Sequence, residues 1–240
     1  MTVYGIIGAM DVEVELLRAA LVDPANTTVA GRLFTRGQLD GVPCVVVQCG
    51  VGMVNAAACT QALIDHFAVD CVINTGVAGS LDASIDIGDV VVATDVVNWA
   101  MDVQNLGYAP GQTPGMEQTV FAADPALADA AVAAAQAGDV RAHRGPIASA
   151  DKFVRDEEDK AFIARTFSAR CCEMEGAAIA QVCAVNRLPF AIVRAISDKA
   201  DGSVAVDYPV FEAQAARDCA ALTQAIIALL AAPAHATDHR

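Results

Sequence analysis

The sequence predicts a single α/β domain, a sheet with helices packed on both faces. Apolar runs of strand length alternate with segments of helical period along nearly the whole chain. Glycine-bearing segments follow several of the strands, at the sheet edge where open α/β folds bind ligands. The 240 residues are 55% hydrophobic, much of it Ala, which supplies a sizeable core without a second domain.

Taken in order, Val3 to Ile7 is an apolar strand, and Asp11 to Leu21 has apolar residues at helical spacing, with Asp11 as the expected N-cap. Thr28 to Gln38 and Val42 to Gln48 read as a strand pair joined by the turn Leu39-Asp40-Gly41. Met53 to Phe67 is helical, Asp70 to Asn74 a buried strand, and Asp89 to Val97 another. From Asn98 to Gln118 no period is visible, and a loop this long inside a compact domain is usually functional. Then come a helix from Asp124 to Gln136, a strand from Arg144 to Ser149 and a helix from Glu157 to Phe167. A helix from Glu175 to Asn186, a strand from Pro189 to Ile196 and a long amphipathic helix from Tyr208 to Leu230 follow. Residues 1–232 form the expected domain, and 233–240 a disordered tail.

Charge and composition exclude several functions. With 15 Lys and Arg against 29 Asp and Glu, the chain carries a net charge of −14, which repels nucleic acid and anionic lipid. No uncharged apolar run reaches membrane-spanning length, and the start, Met1-Thr2-Val3-Tyr4-Gly5, has no basic segment or cleavage signal. The eight cysteines lie mostly inside apolar runs, with no C-x-x-C, and read as buried thiols of a cytoplasmic protein. His66, His143, His235 and His239 fit neither a metal site nor a catalytic triad, so no metal and no cofactor are expected.

The chemistry concentrates in a few segments. Glu173-Met174-Glu175-Gly176-Ala177-Ala178 sets two carboxylates at the start of an Ala-rich helix, and Arg194-Ala195-Ile196-Ser197-Asp198 ends a strand with an Arg, a Ser and a third acid. Carboxylates whose surroundings push their pKa values apart make a general acid and base pair. Alone, the first segment is better explained by acids favoured at a helix N-terminus and the second by an N-cap Asp after a strand; together they point to a site. Glycine turns are expected at Ile7-Gly8-Ala9-Met10, Cys49-Gly50-Val51-Gly52 and Asn74-Thr75-Gly76-Val77-Ala78-Gly79-Ser80; the second half-matches a dinucleotide fingerprint but lacks its third glycine. None of these turns carries an Arg or Lys. Of the acids in the first helix, Glu13 is the candidate site residue and Glu15 the solvated one, a choice that periodicity alone does not make.

In order and spacing, Gly5-Ile6-Ile7-Gly8-Ala9-Met10, Asn74-Thr75-Gly76, Glu173-Met174-Glu175-Gly176-Ala177 and Arg194-Ala195-Ile196-Ser197-Asp198 resemble the bacterial 5′-methylthioadenosine/S-adenosylhomocysteine nucleosidases of the purine nucleoside phosphorylase-like superfamily. The resemblance implies a three-layer α/β/α fold with a central mixed, twisted sheet. It implies hydrolysis of the N-glycosidic bond of 5′-methylthioadenosine and S-adenosylhomocysteine. It makes Asp198 the general acid at adenine N7 with Ser197 orienting it, Glu13 the activator of water, Glu175 the ribose ligand, and Arg194 the partner of the carboxylates. It places Glu173, Met174 and Gly79 in the ribose and base site, Phe153 on the adenine ring and Val154 at its edge. Met10, Val51, Tyr208 and Phe211 would line a pocket for the 5′ substituent, completed by Leu106 and Pro114 of a second subunit, so a homodimer is expected.

Two segments depart from that pattern: Val77 stands where many relatives have Ser, and Asn98-Trp99-Ala100-Met101 replaces a His- and Asp-rich stretch. A phosphate-dependent phosphorylase, a nucleosidase for 5′-deoxyadenosine or an aminodeoxyfutalosine-like nucleoside, and a non-catalytic adenine-nucleoside binder remain as alternatives.

Overall fold

The computed structural model of the chain describes residues 1–198 and 208–231, the side chains of 208–212 excepted. The expected tail, 233–240, lies outside the described residues. Ten strands form one mixed sheet: β1 (Tyr4–Gly8), β2 (Val22–Val29), β3 (Arg32–Leu39), β4 (Val42–Gln48), β5 (Cys71–Ser80), β6 (Val90–Asn98), β7 (Val120–Ala122), β8 (Ala142–Ser149), β9 (Cys171–Glu173) and β10 (Phe190–Asp198). Among the described residues six helices cover it: α1 (Asp11–Ala20), α2 (Met53–Phe67), α3 (Pro125–Ala137), α4 (Glu157–Phe167), α5 (Gly176–Asn186) and α6 (Tyr208–Ala231).

Strand alternation sends neighbouring residues to opposite faces, and each face has its own core. Ile6, Val46, Ile73 and Val193 meet α1, α3 and α6. Ile7, Val45, Val47, Val72 and Ile192 meet α2 and α5. This is the expected three-layer arrangement. Trp99 joins a smaller core with Val97, Ala148, Val154 and Ile163 under α4.

The sheet also curls on itself. β5 pairs in parallel with β1 and β10, and β9 pairs antiparallel with β5 and parallel with β8. β6 then joins β8 to β10, closing a five-strand ring. That closure brings the ends of β5, β9 and β10 to one place.

Several expected elements change. The strand foreseen over Thr28 to Gln38 is broken at Ala30 and Gly31, whose φ values of 47° and 74° are those of a two-residue hairpin turn, giving β2 and β3. β2 is almost wholly exposed, so no apolar alternation marks it. β7 and β9, three residues each, are too short to show a period. The third glycine segment is no turn at all, because β5 runs straight through Thr75, Gly76 and Gly79 to Ser80.

A buried polar cluster fastens α6 to β5. Thr223 Oγ1 lies 2.9 Å from Thr75 Oγ1 and donates to the Cys219 carbonyl at 2.8 Å, while Cys219 Sγ donates to the Gly76 carbonyl at 3.1 Å. Thr223→Ala leaves the Thr75 hydroxyl short of a buried partner, so it should lower unfolding stability by about 1–3 kcal/mol, read as a shift of the urea midpoint.

Candidate active site

Glu13 occupies the third position of α1, and Met10, not Asp11, is the residue that caps that helix. From this position a Glu side chain can reach back to the free backbone donors of its own helix start. Its Oε2 accepts from Ala9 N–H at 2.6 Å and Met10 N–H at 2.9 Å, and its Oε1 accepts from Val77 N–H at 3.1 Å on β5. It is 1% exposed, whereas Glu15 faces solvent. Burial pushes its pKa above the ordinary carboxylate value, against the pull of Arg194 and of those three donors.

Arg194 of β10 is fully buried among acids. Its Nη2 donates to Glu173 Oε2 and to Asn74 Oδ1, and lies 3.9 Å from Glu175 Oε2. Burial acts to lower its pKa, but Glu173, Glu175 and Glu13 outweigh it and the net shift is upward. Glu173 has both oxygens engaged inside the protein. Oε2 accepts from Glu175 N–H at 3.0 Å and Gly176 N–H at 2.8 Å as well as from Arg194, and Oε1 accepts from Ser149 Oγ. Glu175 instead accepts from Gly52 N–H at 2.8 Å, the first donor of α2. Burial, then the Glu173 charge, raises its pKa to about 7.

Asp198 closes the other side. A bulge in the β10–β5 register falls between Ile196 and Asp198, and Ser197 Oγ donates to Asp198 Oδ1 at 3.1 Å. On its far side Ile196 is gripped by a turn, accepting from Gly88 N–H at 3.0 Å and donating to the Asp89 carbonyl at 2.9 Å. Asp89 is itself held by His143 at 2.8 Å, so this histidine, expected to be an ordinary one, supports the strand end that carries the acid. Asp198 is pushed upward in pKa by burial, opposed by the Ser197 hydrogen bond and the Lys160 charge.

β5 passes beneath both acids with glycines where they need room. A Cβ at Gly79 would stand 2.8 Å from Asp198 Oδ2, and one at Gly76 would land on Arg194 Nη1 and Glu13 Oε1. Glu13, Glu175, Arg194, Ser197, Asp198 and Gly79 therefore converge on one strand end.

The sequence model described as "Phosphorylase superfamily" matches residues 3–228. A 5′-methylthioadenosine/S-adenosylhomocysteine nucleosidase of Geobacillus kaustophilus is 42% identical over 94% of this chain and 96% of its own. The chain belongs to this nucleosidase family.

Solved structures of the family superpose closely. The nucleosidase of Neisseria meningitidis in complex with methylthio-immucillin-A is 38% identical with a TM-score of 0.90, covering 95% of this chain and 99% of that one. That of Colwellia psychrerythraea in complex with adenine gives 38% and 0.90, covering 95% and 96%.

The remaining residues expected in the site differ in exposure. Met10 and Met174 are half-buried, and Val154 is buried. Phe153 is 48% exposed beneath the Arg155 guanidinium, 5.1 Å from the ring centre. Val51 is half-exposed, and Leu106 and Pro114 lie on the exposed loop, Leu106 in a single 3₁₀ turn. The side chains of Tyr208 and Phe211 lie outside the described residues. The neighbouring Cys171 and Cys172 have thiols pushed well up by burial, Cys172 to about 12, and so stay protonated and inert.

Sequence reasoning missed three contributors. Ser149 braces Glu173 and accepts from Ala177 N–H at 2.8 Å. Asp151 accepts from Met53 N–H at 2.7 Å, so two acids from distant segments cap the start of α2. Arg32 of β3 lies against Gly50, so a cation from another strand reaches a glycine turn that carries none of its own. Only Ser149 and Asp151 sat in a segment already singled out, the one leading to Phe153.

Gly76→Ala tests how closely Glu13 and Arg194 meet on β5. Glu13 and Arg194 are both buried and hydrogen-bonded and cannot withdraw, so kcat should fall by about 10²-fold while the fold, read by far-UV circular dichroism, is retained.

Proposed function

We propose that the chain hydrolyses the N-glycosidic bond of 5′-methylthioadenosine and S-adenosylhomocysteine, with Asp198 and Glu13 as the acid and base. The observation that carries the reading is the buried Glu13 and the half-buried Asp198 standing against Gly76 and Gly79 of one strand, both with raised pKa values. Those glycines are three residues apart on β5, roughly 10 Å along the strand by its rise.

In this scheme Asp198 gives its proton to adenine N7. The C1′–N9 electron pair then leaves with a neutral base, and the sugar acquires oxocarbenium character. Water attacks C1′ and its proton passes to Glu13, which ends protonated as Asp198 ends ionised. Burial keeps Asp198 protonated at higher pH than a free carboxyl. Three backbone donors and Arg194 keep Glu13 available as a base despite its burial. Glu175 is aimed at the ribose hydroxyls and, when ionised, stabilises the cationic sugar. Glu173, with its oxygens taken up internally, acts by holding Glu175 and Arg194 in place. Val77 offers no side-chain hydrogen bond, but its N–H fixes Glu13, so positioning of the water rests on Glu13, Arg194 and Glu175.

The same reading takes the enzyme to be a cytoplasmic homodimer in methionine salvage, needing no cofactor. All eight cysteines are free, which suits a reducing compartment. An apolar groove between α2 and α5, lined by Met53, Ala57, Ala178 and Val182, is flanked by the exposed Val54 and Val185 and is suited to an interface. Leu106, 67% exposed, and Pro114 would cross from one subunit to cap the 5′ pocket of the other.

Adenine release should proceed without phosphate and yield the free sugar. Asp198→Asn and Glu13→Gln should each lower kcat by at least ~10², with Glu15→Gln as the control of near-normal turnover. Because the protonated form of Asp198 is the active one, wild-type kcat should fall as pH rises through its raised pKa, and that limb should vanish from the residual activity of Asp198→Asn. Phosphate-dependent formation of a sugar 1-phosphate, or normal turnover in either mutant, contradicts the assignment.

Leu106→Asp addresses the shared site. It should raise KM for 5′-methylthioadenosine several-fold and weaken the dimer in sedimentation, since a rim contact of this kind is worth ~1–2 kcal/mol. A dimer of unchanged affinity with normal KM would place the loop elsewhere.

A further inference from the structure

The second glycine turn holds a cation that the hydrolytic scheme does not use. Arg32 begins β3, whose antiparallel pairing with β4 brings it level with the end of that strand. Its guanidinium lies flat against Gly50, where a Cβ would stand 2.8 Å from Nη1 and 2.9 Å from Nη2. Gly50 has a φ of +83°, so both the backbone turn and the approach of the guanidinium require glycine there.

The group is fixed. Nη2 donates to Asn55 Oδ1 at 2.6 Å, and Asn55 Nδ2 in turn donates to the Val51 carbonyl at 2.7 Å. Arg32 is thereby tied to the residue between Gly50, which it covers, and Gly52, whose N–H holds Glu175. Among the described residues it has no carboxylate partner, although acids outnumber bases almost two to one in this chain. The nearby acids Glu175 and Asp151 are directed to backbone donors instead. Arg32 is half-buried, and Asn55 takes only one of its five N–H donors.

We propose that Arg32 is a specificity residue, a subsite for a carboxylate carried on the 5′ substituent of the nucleoside. This rests on the reading that Glu175 binds the ribose and Val51 borders the 5′ pocket. A chain leaving the sugar past Val51 then meets a rigid guanidinium with donors to spare, and the planar fork matches a carboxylate in two-point contact. In an otherwise acidic protein, such a cation offsets the repulsion that an anionic tail would meet. A methylthio group gains nothing from it, whereas the amino-acid tail of S-adenosylhomocysteine does.

The test compares Arg32→Gln with wild type on 5′-methylthioadenosine and S-adenosylhomocysteine. Arg32→Gln keeps a donor for Asn55 and removes the charge. The ratio of kcat/KM for S-adenosylhomocysteine over methylthioadenosine should fall about fivefold to tenfold. The same preference in wild type should weaken as salt is raised from low to ~0.5 M, and Arg32→Lys should recover part of it. A ratio unchanged within about twofold overturns the proposal, and so does an equal loss on both substrates, which would make Arg32 a brace for the Gly50 turn. Phosphate-dependent product formation that disappears in Arg32→Gln would make the anion inorganic phosphate and overturn it as well. If wild type cleaved neither nucleoside, the hydrolytic reading would fail by itself. The ratio of dissociation constants for the two compounds, by calorimetry, would still decide Arg32.

Discussion

Everything at this strand end depends on one buried guanidinium. Arg194 is fully enclosed, and Glu173, Glu175 and Glu13 all bear on it. Three carboxylates buried without a cation would hold one another protonated or pull water into the core. One cation against three acids neutralises only part of the charge. Glu173 takes the direct ion pair, and Glu175 is left with a pKa of about 7. Glu13 is supported by the Arg194 charge and by three backbone donors. Removing Arg194 would uncover all three acids at once, whereas removing any single acid leaves the cation with partners.

The backbone does as much as the charges. Helix starts are normally capped from their own sequence, yet α2 begins at Gly52 with no side-chain cap and borrows Glu175 and Asp151 from elements more than ninety residues away. The same two bonds tie Glu175 and the segment leading to Phe153 to one helix end. On β5, glycine at 76 and 79 gives up side-chain packing so that Glu13, Arg194 and Asp198 can lie directly on the strand. Closing the sheet through β9 and β8 makes these contacts possible, because it turns the ends of β5 and β10 toward Glu173.

Much of this was legible from residues in order. Strong periods gave α2 over Met53–Phe67 and α4 over Glu157–Phe167 without correction, and the apolar run before Arg194 gave β10. The spacing of the acid-bearing motifs gave the family. Elements without a period were lost: the exposed β2, the three-residue β7 and β9, and the two-residue turn at Ala30-Gly31.

The sequence by itself determined the layered α/β class, the family and the roster of acids, since these follow from local pattern and motif spacing. Only the tertiary structure decided which job each acid could hold. Glu173 and Glu175 are two residues apart on one motif, but one ends a strand with every oxygen engaged and the other meets the first donor of a distant helix. Gly76 and Gly79, expected in a turn, lie within a strand, and Arg32, far from Gly50 in sequence, lies against it. Burial and the pairing of distant segments set a carboxylate's proton affinity and its free oxygens, and neither is written in its neighbours along the chain.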